Sequence, residues 1–188
     1  MAGNRQLTAA AAILLLGLLA IEGVTLLNLR ALMSVHAFVG VLLIPVVALK
    51  LGSVAWRMVS YYLGRAEYVA AGPPNIALRV VIGPVIIAST ALLLATGVAL
   101  LALDRTGGTL VLLHKASFIV WLGATGIHVL AHVAKLGRAL TQRSSGVLGR
   151  AVLVGATVLA GGALAVGTLP AVDHLQDQMS AQIGLDRR

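Results

Sequence analysis

The chain contains no cysteine. That excludes iron–sulfur clusters, thiolate metal sites, disulfides and the covalent attachment of a c-type haem. Charge is the second scarcity. Charged residues are 11% of the 188 positions, where a soluble domain carries about 25%. Carboxylates are the rarer sign, with 6 Asp and Glu against 14 Lys and Arg and a net charge of +8. A balance this basic can signal a nucleic-acid partner. Here the bases flank hydrophobic stretches and form no separate patch, so nucleic acid is set aside.

What the chain has is apolar surface. Hydrophobic residues make up 59% of it, in blocks of about twenty or more, the length that crosses a bilayer. The composition predicts an all-α integral membrane helical bundle of about five transmembrane helices, since backbone facing lipid must bond within its own segment. The spans read as Leu7 to Leu29, Leu32 to Tyr62, Ile76 to Leu103, Leu110 to Leu136 and Val147 to Leu169. The first reads as a span and not a cleaved leader, because its apolar run is long and lacks a small-x-small cleavage site. The bundle covers residues 1–170 and a polar tail covers 171–188, expected to be disordered and solvated, with His174 inside it.

Basic residues set the orientation. One side holds Arg57, Arg65, Arg79, Lys135, Arg138, Arg143 and Arg150, and Trp56, Tyr61 and Tyr62 suit an aromatic belt there. The other holds Arg30, Arg105 and Lys115, with Arg187 and Arg188 at the end of the tail. This predicts a multi-pass protein of the inner or plasma membrane, amino terminus cytoplasmic and carboxyl tail outside. The second span exceeds what a membrane needs, so its last turns are expected to run on as an interfacial helix. The Gly72-Pro73-Pro74 turn ends that element. Gly83-Pro84 is expected to kink the third span. Gly155, Gly161, Gly162 and Gly167 mark the fifth span as a packing helix.

The fourth span carries His114, His128 and His132. Ionisable side chains at membrane depth are costly and call for a partner or a task. At about 100° per residue, His114, Phe118, Trp121, Thr125, His128 and His132 share one narrow face. A face of imidazoles and aromatics suits a helix that holds haem in a bundle core. His36 lies just inside the same end of the second span as His114 does in the fourth, so the two imidazoles sit at matching depth. Two imidazoles on facing helices can hold one haem iron from both sides. Gly40, one turn below His36, leaves room for the porphyrin plane, and Lys115, Arg30 or Arg105 can meet the propionates.

A second level follows from the spacing. Lys50 is fourteen residues after His36, and His128 is fourteen after His114, a displacement of roughly 21 Å along a helix. Three arrangements fit: an inner haem on His128 and Lys50, an inner haem on His128 or His132 with some other ligand, or a single outer haem with Lys50 snorkelling to the interface. Glu22 is the one carboxylate inside a span. It reads either as a partner for Arg30 or Lys115, or as a proton acceptor beside a quinone pocket.

The segments VHAFVGVLLIPVVALKLGSVAWRMVSYYLG, YVAAGPPNIALRVVIGPV and LLHKASFIVWLGATGIHVLAHV resemble small bacterial, especially actinobacterial, membrane cytochromes of the cytochrome b561 or b/b6-like kind. The resemblance covers about residues 34–133 and implies a four-helix haem-binding core, about residues 34–136, within the bundle. It implies b-type haem on His36, His114 and His128. It further implies electron transfer between quinone and a partner, often an extracytoplasmic molybdopterin oxidoreductase. Lys50 departs from the pattern, where a fourth histidine is expected. Such a chain is an electron-transfer subunit with no substrate chemistry of its own, and a homo-oligomer is compatible with that role. The alternative is a haem-free membrane anchor or a small transporter whose histidines face a polar cavity.

Overall fold

The structure is a computed structural model and describes residues 2–70, 72, 76, 78–141 and 146–186. The Pro73-Pro74 turn, Arg143, Arg187 and Arg188 lie outside the described residues, as do the side chains of Lys135 and Arg138. The described chain is helical, with no strand among the described residues. Helix α1 (Ala2–Thr25) closes in a 3-10 turn (Leu26–Asn28) and leads to α2 (Met33–Tyr62) and the short α3 (Ala66–Ala70). A π-turn (Leu78–Ile82) opens α4 (Gly83–Ala102), followed by α5 (Thr109–Thr141) and α6 (Val147–Asp186). Five of these helices are long and apolar enough to cross a membrane.

The outside of the bundle is greasier than its inside needs to be. Leu112, Ile119, Leu130 and Leu159 are all exposed, while the buried positions include Ser53, Ser60, Ser89, Thr96 and Ser117. That is the distribution a bilayer solvent produces: apolar side chains face lipid, and small hydroxyl residues let helices approach. The multi-pass membrane reading therefore holds.

Two of the local expectations change. The α2 helix does not run on as an interfacial helix. It stops at Leu63 because Gly64 takes a left-handed φ of +71°, and its N–H bonds back to Tyr61 O while Arg65 N–H bonds to Ser60 O. This closing pattern satisfies the last carbonyls of the helix. At the Gly83-Pro84 pair the third span changes hydrogen-bond register, from a π-turn to the α-helix. Pro84 has no N–H to give to the carbonyl four residues back, and the ladder widens into the π-turn just before it.

Helix α1 packs along α2, α4 packs along α5, and narrower contacts join α2 to α4 and α5 to α1. This makes a four-helix ring in which α2 and α5 lie on a diagonal. Helix α6 lies outside the ring, chiefly against α2. Gly161 is its contact point: a Cβ there would fall 2.7 Å from Leu42 Cδ1 and 2.9 Å from both Leu42 O and Pro45 Cγ. Gly155, Gly162 and Gly167 have nothing within 4 Å, so only one of the four expected packing glycines packs.

The expected solvated tail is instead the last part of α6, which continues through Pro170 to Asp186. Val172 and Leu175 are buried, one turn apart on the face toward the bundle. Polar contacts fasten the same face. Ser34 Oγ donates to Gln176 Oε1 at 2.9 Å, Gln178 Nε2 donates to Asp104 Oδ2, and His174 Nδ1 lies 2.7 Å from the same carboxylate oxygen. His174 is thus paired, although its side chain stays largely exposed.

Candidate functional site

The diagonal of the ring brings His36 on α2 and His114 on α5 together. Their ring centroids are 6.4 Å apart with planes at 88°. Each ring is held at Nδ1 by groups that decide where its proton sits.

At His36, Nδ1 lies 3.0 Å from Glu22 Oε1 and 3.0 Å from Thr25 Oγ1. The Thr25 hydroxyl spends its own proton on Glu22 O at 2.6 Å, so it faces His36 as an acceptor. Both neighbours accept, and Nδ1 carries the hydrogen. At His114, Nδ1 lies 3.1 Å from Leu93 O and 3.1 Å from Thr96 Oγ1. Thr96 donates to Leu92 O at 2.7 Å. Again both neighbours accept. In the neutral ring the lone pair is then on Nε2 in each case, and a histidine orients a metal by such an anchor on its other nitrogen.

The backbone explains how these groups arrive. Glu22 and Thr25 are one turn apart at the end of α1, on the face that α2 covers. Thr96 is buried on α4, and its i−4 back-bond holds the hydroxyl still. Beside it, Gly97 has no side chain because a Cβ would come 3.2 Å from His114 Cε1. Gly97 and Thr96 were not singled out in the sequence. Their only signal is a Thr-Gly pair in a mostly aliphatic helix that also carries Ser89 and Thr90.

The other expected site residues are placed as follows. Gly40 does lie below His36, but a Cβ on it would sit 3.6 Å from Glu22 Oε1, so the carboxylate fills that side. Glu22 pairs with His36 and, among the described residues, with neither Arg30 nor Lys115. Its second oxygen, Oε2, is buried without a partner. Arg30, Arg105 and Lys115 are at the same end of the bundle, and all three are exposed.

Lys50 is on α2 and His128 on α5, and no direct contact between them is seen among the described residues. The amine is committed elsewhere: Lys50 Nζ donates to Thr8 O at 2.8 Å. It belongs to a polar brace between α1 and α2, in which Thr8 Oγ1 meets Ser53 Oγ at 2.9 Å and Asn4 Nδ2 donates to Ser53 O at 3.0 Å. His128 stacks on His132 with centroids 4.4 Å apart, and His132 Nδ1 bonds to His128 O at 2.9 Å. Phe118 stacks on Trp121 at 6.2 Å, between the two levels. Thr125 Oγ1 is buried without a partner, one turn from His128.

Among the described residues, no three His, Cys, Asp or Glu side chains converge as a cage for a bare metal ion. Compared with protein-family models, with curated proteins and with solved structures, the chain matches none.

Proposed function

We propose that this chain is a membrane-bound b-type cytochrome subunit, with one haem b between His36 and His114. The observation that carries this reading is the pair of imidazoles on the bundle diagonal, each anchored at Nδ1 and each with Nε2 left for a ligand. Metal–nitrogen bonds of about 2 Å on both sides of one ion would put the ring centroids roughly 6 Å apart, and they are 6.4 Å apart. The lack of a three-residue cage is consistent with this. A macrocycle brings four nitrogens of its own, so two protein ligands complete the iron.

When bound, haem supplies one-electron chemistry as its iron cycles between ferric and ferrous. The chain's own residues do the rest. Glu22 and Thr25 orient His36, with the carboxylate directly against its Nδ1. Leu93 O and Thr96 orient His114 without adding charge. The mostly apolar helices around them keep water away. Electrons would pass between the quinone pool and a redox partner, such as an extracytoplasmic molybdopterin oxidoreductase. The charge distribution supports an amino terminus in the cytoplasm and the haem near the outer face, where Arg30, Arg105 or Lys115 can meet the propionates. Glu22 takes the role of imidazole anchor in this reading, which leaves a quinone pocket beside it unsupported. The second level is read without haem, because the Lys50 amine is given to Thr8 O.

The test is the haem content of the purified protein from haem-sufficient cells. The expected result is about one haem per chain with a sharp reducible α-band, lost in His36→Ala and in His114→Ala and kept in His128→Ala. A ratio near two would overturn the single site. Colourless, folded protein would overturn the cytochrome reading and favour a haem-free anchor or small transporter.

A further inference from the structure

The opposite end of the bundle carries a feature that electron transfer does not use. The last turns of α2, helix α3 and the π-turn before α4 enclose a cleft lined by Arg57, Tyr61, Tyr62, Tyr68 and Arg79. Arg79 Cζ lies over the Tyr62 ring, 5.7 Å from its centre, and beside the cleft Arg65 Cζ lies 4.7 Å from the centre of the Trp56 ring. A guanidinium over an aromatic ring still offers N–H groups in the fork that matches a phosphate. Among the described residues, no carboxylate pairs with Arg57, Arg65 or Arg79. The one acidic residue between positions 51 and 79 is Glu67, exposed on α3 and engaged elsewhere.

Depth and size identify the ligand class. The apolar run of α2 ends at Tyr62 and the next begins at Arg79, so the cleft lies at the level of lipid headgroups, where Trp and Tyr collect. The cleft is partly open, and the space between its lining side chains is about 10 Å³, roughly one water-sized group and the size of a phosphate oxygen reaching between the arginines. Leu63 and Val80, next in sequence to the lining residues Tyr62 and Arg79, are 69% and 59% exposed and offer apolar surface to acyl chains. The π-turn matters because it brings Arg79 to the cleft, and such widened turns often mark binding positions.

We propose that Arg57 and Arg79 hold the phosphate of an anionic phospholipid in this cleft, one lipid per chain. The site is independent of the haem reading and stands or falls without it.

The experiment titrates the purified full chain in neutral detergent with short-chain phosphatidylglycerol, phosphatidylcholine and inorganic phosphate, and counts bound lipid by native mass spectrometry. Phosphatidylglycerol is expected to saturate at about one per chain. Losing a charge-assisted bond in Arg57→Gln or Arg79→Gln is expected to weaken it by about ten-fold or more. Arg150→Gln removes the same charge from the same end and is expected to change binding less than about two-fold. Circular dichroism checks that each variant is folded, and Arg57→Gln carries the test if Arg79→Gln is not. Equal binding of phosphatidylcholine, or wild-type affinity in the folded arginine variants, would overturn the site. Displacement of the lipid by millimolar inorganic phosphate would overturn the lipid as its occupant.

Discussion

Gly161→Ala adds one carbon where α6 crosses α2. The new Cβ would sit 2.7 Å from Leu42 Cδ1 and 2.9 Å from Leu42 O and Pro45 Cγ, where carbon atoms prefer about 3.5–4.0 Å. Leu42 can turn its methyl aside. Its carbonyl and the Pro45 ring cannot, so the helices must part by most of an ångström. Overpacking of this kind costs about 1–3 kcal/mol, roughly 5- to 150-fold in the unfolding equilibrium. Alanine also favours the helix over glycine by up to about 1 kcal/mol, and Gly155→Ala measures that gain alone because nothing lies within 4 Å of it. The assay is equilibrium unfolding in mixed micelles followed by circular dichroism. Gly155→Ala should be as stable as the parent or slightly more so, and Gly161→Ala clearly less. Equal stability of the two variants would refute the close crossing.

Three further outcomes follow from the site and the α6 extension. Gly97→Val pushes against the His114 ring and should weaken haem retention by about ten-fold or more while helix content stays the same; the haem-to-protein ratio after dilution reads it. Glu22→Gln removes a negative charge beside His36 and should raise the midpoint potential, measured by redox titration. Asp104→Ala removes the acceptor of His174 and Gln178, bonds of about 1.5–3 kcal/mol when charge-assisted. Amides across 171–178 should then exchange about ten-fold faster or more, while those near Gly161 keep their protection.

The helices and their order were legible because a bilayer permits little else for apolar runs of this length. The matched depth of His36 with His114 was legible as well. It follows from counting 1.5 Å per residue along antiparallel and parallel spans. What could not be read was lateral. Glu22 has one turn of freedom about α1, and only the packing of α1 on α2 turns it to His36 instead of Arg30. Thr96 and Gly97 look like ordinary small residues until α4 is laid beside α5. The extension of α6 was missed for a different reason. Pro170 and the polar residues after it suggested a loose tail, yet Val172 and Leu175 keep a helical apolar stripe, and Ser34 and Asp104 supply its polar partners. Gly64 and Pro84 acted as punctuation in the expected places, but with a left-handed stop and a register change as their effects.

On the proposed reading, the relation between the two imidazoles could be measured through a bound haem. If both held one iron with their planes near 88° to one another, two iron d orbitals would be almost equal in energy, and the oxidised low-spin haem would give a strongly anisotropic electron paramagnetic resonance signal. The spectrum of the purified ferric protein is predicted to be low-spin with that large anisotropy. A high-spin signal would mean that only one histidine, or neither, reaches the iron, and would contradict the pairing of His36 with His114.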